Sequence, residues 1–306
     1  MTSSPSSYEG LDREAYGKFY AAQMKTTWGR RHQARFALMD GEDLLASAVQ
    51  YDLTGKLDGR AISICGIGSV FTDPAHRGEG HARKLIDRMI DQAARRGAEM
   101  ALLFSRTRSE DDEQDGFEAV PLTETTLRVT ESPRHGAPMT MVRGGEERDL
   151  GAIAAMGRVR AEPFRFHLER DIDLVQYVIT KKRLLAGLGS ANARQLHFFI
   201  AEEGTTAAAY VVVSVEGGSW TIEECGDRDI TGARVGALLQ ALIAREPVER
   251  RPTIRGWLPP RFLPPQLTVI SEAPSAEVMM VRMLGDAATG PKLSGDGVLY
   301  WRNDLF

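Results

Sequence analysis

Apolar and polar residues alternate along the chain in a pattern typical of mixed α/β proteins. An apolar stripe with a period of about 3.6 residues runs from Ala82 to Ala93 and predicts an amphipathic helix that stops at Gly97. The apolar run 61–71 before it and the shorter run 100–104 after it predict strands. Residues 61–104 therefore predict a β-α-β unit, with a short glycine-containing arch between the first strand and the helix.

The rest of the chain predicts further elements of the same two kinds. In the first half, residues 11–27 have a helical pattern, and Asp40-Gly41 is a favoured turn pair between two strands. A segment rich in proline and glycine at 132–138 predicts a linker. The other predicted strands lie at 34–39, 44–52, 117–120, 127–129, 139–142, 196–201, 207–215, 220–225 and 253–258, and the other helices at 146–160, 173–188 and 233–244.

Two short segments recur in the second half of the chain. Residues 36–41 parallel 199–204, and residues 62–66 parallel 222–226. After the second copy only residues 227–232 precede the next predicted helix, and this segment holds no Arg-x-x-Gly-x-Ala. The repeat predicts two lobes, residues 1–132 and 139–306, of which only the first has the arch. The alternative is a chance similarity between α/β patterns.

The arch itself, within residues 74–85, has the chemistry of a phosphate site. The first N–H groups of a helix are unpaired and the helix dipole is positive at that end, so the position attracts anions. Gly78 and Gly80 allow positive φ and close approach of phosphate oxygens. Other phosphate motifs fail on spacing: there is no Gly-x4-Gly-Lys-Ser/Thr, and Gly66-x-Gly68 is followed by Phe71 where a dinucleotide motif needs glycine. An ordinary surface turn remains the alternative.

The hexapeptide Arg77-x-x-Gly80-x-Ala82 resembles the acetyl-CoA signature of the GCN5-related N-acetyltransferase (GNAT) superfamily. Residues 66–72 are also similar to a segment of the two-lobed fungal lysine N6-acetyltransferases. The resemblance implies an α/β (α+β) fold with tandem GNAT-like lobes. Each lobe would be a mixed, mostly antiparallel sheet flanked by helices.

The same resemblance implies an acetyl-CoA-dependent N-acetyltransferase (EC 2.3.1 type) that acetylates a primary amine of a small molecule. The amine would be lysine-like or another amine, and acetyl-CoA would be the co-substrate. The alternative is an acyl-CoA-binding sensor or pseudoenzyme. The residues implied in binding acetyl-CoA are Val70, Phe71, Thr72, Arg77, Gly78, Glu79, Gly80, His81, Ala82, Arg83 and Ser105.

At the expected catalytic positions the chain departs from the family pattern. Many relatives have a tyrosine about four residues before a Gly-Phe pair; here Gly116-Phe117 is present, but Asp112 takes the place of the tyrosine. Asp112 would be a poor acid near a thiolate at its usual pKa. Water or Tyr51 would then protonate the leaving thiolate, or the protein is catalytically weak. The acidic run around Asp112 is otherwise a solvated loop, or attracts a cationic amine.

In some two-lobed relatives the terminal carboxylate is the general base, which implies that Phe306 has this role here. The alternative is that the terminal residues form an edge strand in the second sheet.

Composition limits the kinds of partner and the cell compartment that are expected for this protein. The chain has 306 residues, 42% hydrophobic and 26% charged, with a net charge of −4, which argues against a nucleic-acid partner. Cys65 and Cys225 are its only cysteines, and no apolar run approaches 18 residues. These features predict a cytoplasmic protein with no membrane segment, acting as a monomer or homodimer. The histidines show no metal-ligand spacing, so no metal is expected.

Overall fold

The computed structural model describes residues 11–105, 116–130, 141–188, 194–285 and 292–306. Asp112 lies outside the described residues. The helices are α1 (Arg13–Gln23), α2 (Thr27–His32), α3 (His81–Arg95), α4 (Leu150–Ala161), α5 (Ile172–Leu188) and α6 (Ala233–Ile243). The strands are β1 (Gln33–Asp40), β2 (Asp43–Leu57), β3 (Arg60–Thr72), β4 (Met100–Ser105), β5 (Glu118–Val120), β6 (Thr123–Val129), β7 (Met141–Gly144), β8 (Phe166–Leu168), β9 (Arg194–Glu203), β10 (Thr206–Glu216), β11 (Ser219–Asp227), β12 (Ile254–Gly256), β13 (Leu267–Pro274), β14 (Val278–Met283) and β15 (Val298–Leu299).

These strands form two sheets. The first has the order β15-β8-β2-β3-β4-β14-β5, with β1 also paired to β2, and the second has the order β13-β6-β12-β11-β10-β9-β7. The pairs β3–β4, β8–β15 and β11–β12 are parallel, and the other described pairs are antiparallel. The expected fold class, two mixed and mostly antiparallel sheets flanked by helices, is confirmed.

The predicted repeat is also a repeat of structure. In each sheet an antiparallel hairpin, β1–β2 or β9–β10, is followed by a strand, a helix and a parallel strand. Gly41 and Gly204, at the two hairpin turns, have φ of +59° and +64°. The apolar stripe of α3 packs on the first sheet, and α6 covers the second in the same way.

Hydrogen-bonded strands cross the predicted division between 1–132 and 139–306 in both directions. Strand β6 joins the second sheet, whereas β8, β14 and β15 join the first. Strand β14 pairs with β4 on one side and β5 on the other, and its residues 279–281 are buried. The sequence analysis did not predict β14, although the apolar run 278–281 is a signal for it. The division therefore stays a prediction about domains, with strands exchanged across it.

The first helical segment differs from the prediction. Residues 11–27 were expected to form one helix, but α1 ends at Gln23 and α2 begins at Thr27. The hydroxyl of Thr26 accepts a hydrogen bond from the N–H of Gly29 at 3.0 Å, so it caps a new helix. Trp28 of α2 is thereby buried in the core beneath the first sheet.

A buried ion network holds the last residues of the chain against the second sheet. The guanidinium of Arg170 donates to both oxygens of Glu224 on β11, at 2.7 and 2.6 Å. Its Nε lies 3.1 Å from a carboxylate oxygen of Asp304. The amide of Asn303 and the hydroxyl of Tyr210 also donate to Glu224. Burial raises the pKa of Asp304 to about 6, although the neighbouring Arg170 acts in the opposite direction.

Removing the arginine should therefore unfold the protein more readily. We expect Arg170→Ala to lower the free energy of unfolding by about 3–5 kcal/mol, because it leaves two buried carboxylates without their cation. Chemical denaturation measures this. Arg165→Ala is the control, since the Arg165–Asp58 pair is exposed and the expected loss is about 0–1 kcal/mol. Equal losses in the two variants would contradict the role given to Arg170.

Candidate functional site

The central feature of the first sheet is a gap between β3 and β4. The two strands pair only from Ile64–Met100 to Ile67–Leu103, and β3 then turns away. A bulge causes the turn: Ser69 and Val70 together oppose one residue of β2, and Ser69 has a φ of +50°. The backbone of β3 after Ile67 therefore faces the gap without a β4 partner, and Val70 is 45% exposed. An extended ligand can pair with this free edge.

The arch follows at the end of β3. The carboxylate of Asp73 accepts from the N–H of Ala75 at 2.9 Å and fixes a single turn at Pro74–His76. Gly78 and Gly80 have φ of +85° and +77°, and a Cβ on either would meet nothing within 4 Å. Gly80 precedes α3, which begins without a side-chain cap. The start of α3 is thus open, as a site for a diphosphate requires.

The equivalent helix start in the second lobe is closed. Gly232 precedes α6 with a φ of +71°, the same conformation as Gly80. Here, however, the carboxylate of Asp227 accepts from the N–H groups of Arg234 at 2.8 Å and Val235 at 3.3 Å. The ring of Phe262 also occupies the space beside Gly232. Groups of the chain itself therefore satisfy the N–H donors that are open in the first lobe.

Three polar side chains cluster on the arch. The carboxylate of Glu79 contacts His76 at 3.3 Å and His81 at 2.9 Å. Hydrogen bonds from His81 and then His76 lower the pKa of Glu79. The three donor atoms lie within 4.8 Å of one another, close enough to hold a metal ion, and two imidazoles with a carboxylate suit Zn²⁺. The expectation that the chain binds no metal stays a prediction.

The structure brings the other residues implied in cofactor binding to the same end of the sheet. The segment from Val70 to Thr72 lies on β3 where the strands part, and Ser105 ends β4 on the opposite side of the gap. Arg77 and Arg83 are exposed, and Ala82 is half-buried in the first turn of α3. Their roles remain predictions, but all of them lie next to the gap and the arch, where they can form one continuous site.

Phe306 lies against one face of β3, at the point where the gap begins. A Cβ built on Gly68 would be 2.8 Å from the carboxyl carbon of Phe306, and one built on Gly66 would be 2.9 Å from its ring. Both glycines lie on β3, and neither has a positive φ. Their lack of a side chain therefore makes room for the last residue. Phe306 is not an edge strand of the second sheet, which was the alternative prediction; β15 pairs with β8 of the first sheet.

Aromatic rings hold Phe306 in this position. Its ring stacks on Tyr51 of β2 with centroids 4.8 Å apart, and meets Phe104 of β4 edge-on at 5.9 Å. Tyr51 is buried and lies opposite Gly66 in the register of β2 and β3. The structure thus brings together two of the three predicted catalytic residues, Tyr51 and Phe306.

Three polar contacts, which the sequence analysis missed, also position the terminal segment. The ammonium of Lys181 donates to the carbonyl of Leu305. The hydroxyl of Tyr300 donates to the carbonyl of Asp304 at 3.1 Å, and the side chain of Asp304 pairs with Arg170. Lys181 stands on the buried side of α5, where an apolar residue is usual. A lysine on the apolar side of a predicted helix was the sequence signal from which this contact could have been suspected.

A cavity of about 250 Å³ opens beside Phe306 between the two lobes. Its walls come from the end of β4, from α5, from the facing surface of the second sheet and from the terminal segment. A larger cavity, of about 800 Å³, lies beside β2 and is lined by no residue of the arch and not by Phe306. The smaller cavity is therefore the one placed to hold a second substrate next to the gap.

Comparisons with known proteins agree with this geometry. Residues 7–110 match a family model described as an acetyltransferase (GNAT) domain. Among solved structures, the fold is similar to a GCN5-related N-acetyltransferase from Kribbella flavida, with a TM-score of 0.63 and 16% identity over 90% of this chain and 65% of that one. No curated protein matches the chain.

Two further structures are similar. A protein of unknown function from Enterococcus faecalis, described as a probable N-acyltransferase, has a TM-score of 0.61 and 14% identity over 89% of this chain and 70% of that one. Eis1 from Mycobacterium abscessus has a TM-score of 0.53 and 12% identity over 89% of this chain and 72% of that one. At these identities, the likenesses establish the fold.

The family match places an acetyltransferase domain over the arch and the gap. The match covers residues 7–110, so it shows a GNAT-like domain in this part of the chain. The finer resemblance to fungal lysine N6-acetyltransferases is not confirmed and stays a prediction. Within the described ranges, no helix is long and apolar enough to cross a membrane.

The space at Gly68 can be tested directly. We expect Gly68→Ala to displace the terminal carboxylate, because the new methyl group would stand 2.8 Å from it. The measurement is the rate at which a carboxypeptidase releases Phe306 from the folded protein, which should rise. Gly144→Ala is the control, since that strand glycine has open space around it. An unchanged release rate in Gly68→Ala would show that the carboxylate does not lie against β3.

Proposed function

We propose that this protein transfers the acetyl group of acetyl-CoA to a primary amine of a small molecule bound in the cavity of about 250 Å³. We further propose that the carboxylate of Phe306 accepts the proton of the amine. The observation that carries the proposal is the position of this carboxylate against Gly68, where β3 and β4 separate. The GNAT match and the open arch support the choice of cofactor.

The residues present fit coenzyme A. The open start of α3, with Gly78 and Gly80 unobstructed, would hold the diphosphate. The free edge of β3 at Val70 and Thr72 would pair with the pantetheine arm. The acetyl group would then arrive at the end of the gap where Phe306 lies. Acetyl-CoA supplies an activated thioester, and the chain supplies position, a base and hydrogen-bond donors.

A base is needed because the acceptor arrives protonated. A free primary amine has a pKa near 10, so at pH 7 almost all of it is ammonium, which has no lone pair to attack a carbonyl. The terminal carboxylate, at the border of the gap and the cavity, is placed to take that proton. The backbone N–H groups of Val70 and Phe71 are the proposed donors to the oxyanion.

The leaving thiolate also needs a proton. Tyr51 lies against the ring of Phe306 and is the proposed donor within the described residues. Water is the alternative donor, and the proposed role of Asp112 stays a prediction.

The missing family tyrosine also favours a second candidate function, an acyl-CoA-binding sensor without transferase activity. Action in the cytoplasm as a monomer or homodimer likewise remains a prediction.

Cofactor binding predicts a thermal shift. Acetyl-CoA at about 100 times its dissociation constant should stabilise the folded protein by about 2.7 kcal/mol, because the unfolded chain does not bind it. Gly80→Ala should bind more weakly, since the arch would have to relax around a residue that disfavours positive φ.

The matched control for the thermal shift is Gly41→Ala, which places the same strain in an open hairpin turn. It should keep the full shift relative to its own ligand-free melting temperature. No shift in the unmodified protein would exclude acetyl-CoA as ligand, and an equal shift in Gly80→Ala would exclude the arch as its site.

The role of Phe306 predicts a loss of turnover without a loss of cofactor binding. Deleting Leu305 and Phe306 should lower kcat by about 100-fold or more, which is the usual contribution of a general base. Adding two glycines after Phe306 keeps its ring but moves the carboxylate, and should have a similar effect. Thiol release from acetyl-CoA over a panel of amines measures turnover.

The outcomes separate the candidate functions. Full turnover in either folded variant would rule out the carboxylate as base. Tight acetyl-CoA binding by the unmodified protein, with no thiol release on any amine, would favour the sensor.

A further inference from the structure

The cavity beside Phe306 is lined by many charged side chains of both signs. Among the described residues that line it, five are cationic and three are acidic, and the terminal carboxylate adds a fourth negative group. The cationic residues are Lys181, Lys182, Arg194, Arg255 and Arg302, and the acidic ones are Glu216, Glu223 and Glu277. Such a lining suits a ligand that itself carries both signs of charge.

Several of these charges are already matched within the protein. Lys182 lies 2.7 Å from Glu223, which also accepts from the hydroxyl of Ser214. Glu223 is the extra residue of a bulge between β10 and β11, which leaves it unpaired in the ladder. Arg302 donates to Glu277 at 3.0 Å and to Glu124 at 3.2 Å. These pairs build the wall of the cavity.

Arg255 on β12 is different. Its described ion pair, with Glu124, is 3.8 Å long, and Glu124 lies closer to Arg302. Within the described part of the chain, no hydrogen bond is recorded for its guanidinium, and its side chain is 46% exposed. Arg255 lies beside Thr221 in the register of β11 and β12, and both line the cavity. A guanidinium with free donors in a fixed fork is suited to a carboxylate or a phosphate.

We infer that the acceptor amine carries an anionic group, and that Arg255 binds this group while the amine reaches the carboxylate of Phe306. Both residues line the same cavity of about 250 Å³, so a compact molecule can contact both of them. The inference rests on the proposed function, since it names the chemical class of the acceptor: a small amine with a carboxylate or phosphate at its other end.

The experiment compares amines that differ only in that group. Lysine is paired with 1,5-diaminopentane, ornithine with 1,4-diaminobutane, and phosphoethanolamine with ethanolamine. In the unmodified protein we expect kcat/KM to be about 10-fold or more higher for the anionic member of at least one pair, because a charge-assisted hydrogen bond is gained.

Arg255→Gln should remove this preference. It should raise KM by about 10- to 100-fold for the amine that carries the anionic group. It should leave kcat, turnover of the partner amine without that group and the melting temperature nearly unchanged. Arg255→Lys should keep part of the preference, since the charge remains without the fork. Arg96→Gln is the control, because it removes an exposed arginine after α3 that does not line the cavity.

Three results would overturn the inference: equal use of both members of every pair, a preference for the members without the anionic group, or a parallel loss on both members in Arg255→Gln. If no amine is acetylated although acetyl-CoA still raises the melting temperature, the proposed function fails separately. Calorimetric titration of the same pairs of amines into the coenzyme A complex then tests whether Arg255 binds the anionic group. Binding of the anionic members that Arg255→Gln abolishes supports the anion site, and no binding overturns it.

Discussion

The site depends on one buried cation. Arg170 stands between Glu224 of the second sheet and Asp304 of the terminal segment, so a single guanidinium joins the two. Two residues beyond Asp304, the carboxylate of Phe306 reaches β3. A buried ion pair seldom adds net stability, since desolvation costs about as much as attraction gains. Its contribution here is positional: it fixes where the chain ends, and thereby which group faces the gap.

The repeat shows how one architecture gives one open site and one closed site. Both lobes place a glycine of positive φ before the helix that links two parallel strands. In the first lobe the described residues leave Gly80 with open space and the helix without a side-chain cap, whereas in the second Asp227 and Phe262 fill the position. Tyr51 lies opposite Gly66 just as Tyr210 lies opposite Gly226. The second Tyr supports the Arg170 network, while the first contacts Phe306.

Local features were predictable from the sequence, and features made by distant segments were not. The arch, α3 and the hairpin turn at Gly41 follow from glycine placement and apolar periodicity within short windows. The apolar run 278–281 signals strand β14, but no local pattern reveals that it pairs with β4, or that the Arg170 network joins distant residues. Gly66 and Gly68 were interpreted through the repeat, a failed dinucleotide motif and the family resemblance. Their use as space for Phe306 became visible once the terminal segment was placed. The prediction for Phe306 came from resemblance.

The exchange of strands has a consequence for how the protein folds. Strand β4 has its antiparallel neighbour β14 some 170 residues later in the chain, at Val278–Met283. Until the ribosome has delivered that segment, β4 presents an unpaired edge, which is a template for aggregation. The first sheet therefore cannot be completed during early synthesis, and long-range pairing of this kind is slow. A fragment cut after the first lobe would lack β14 and expose this edge.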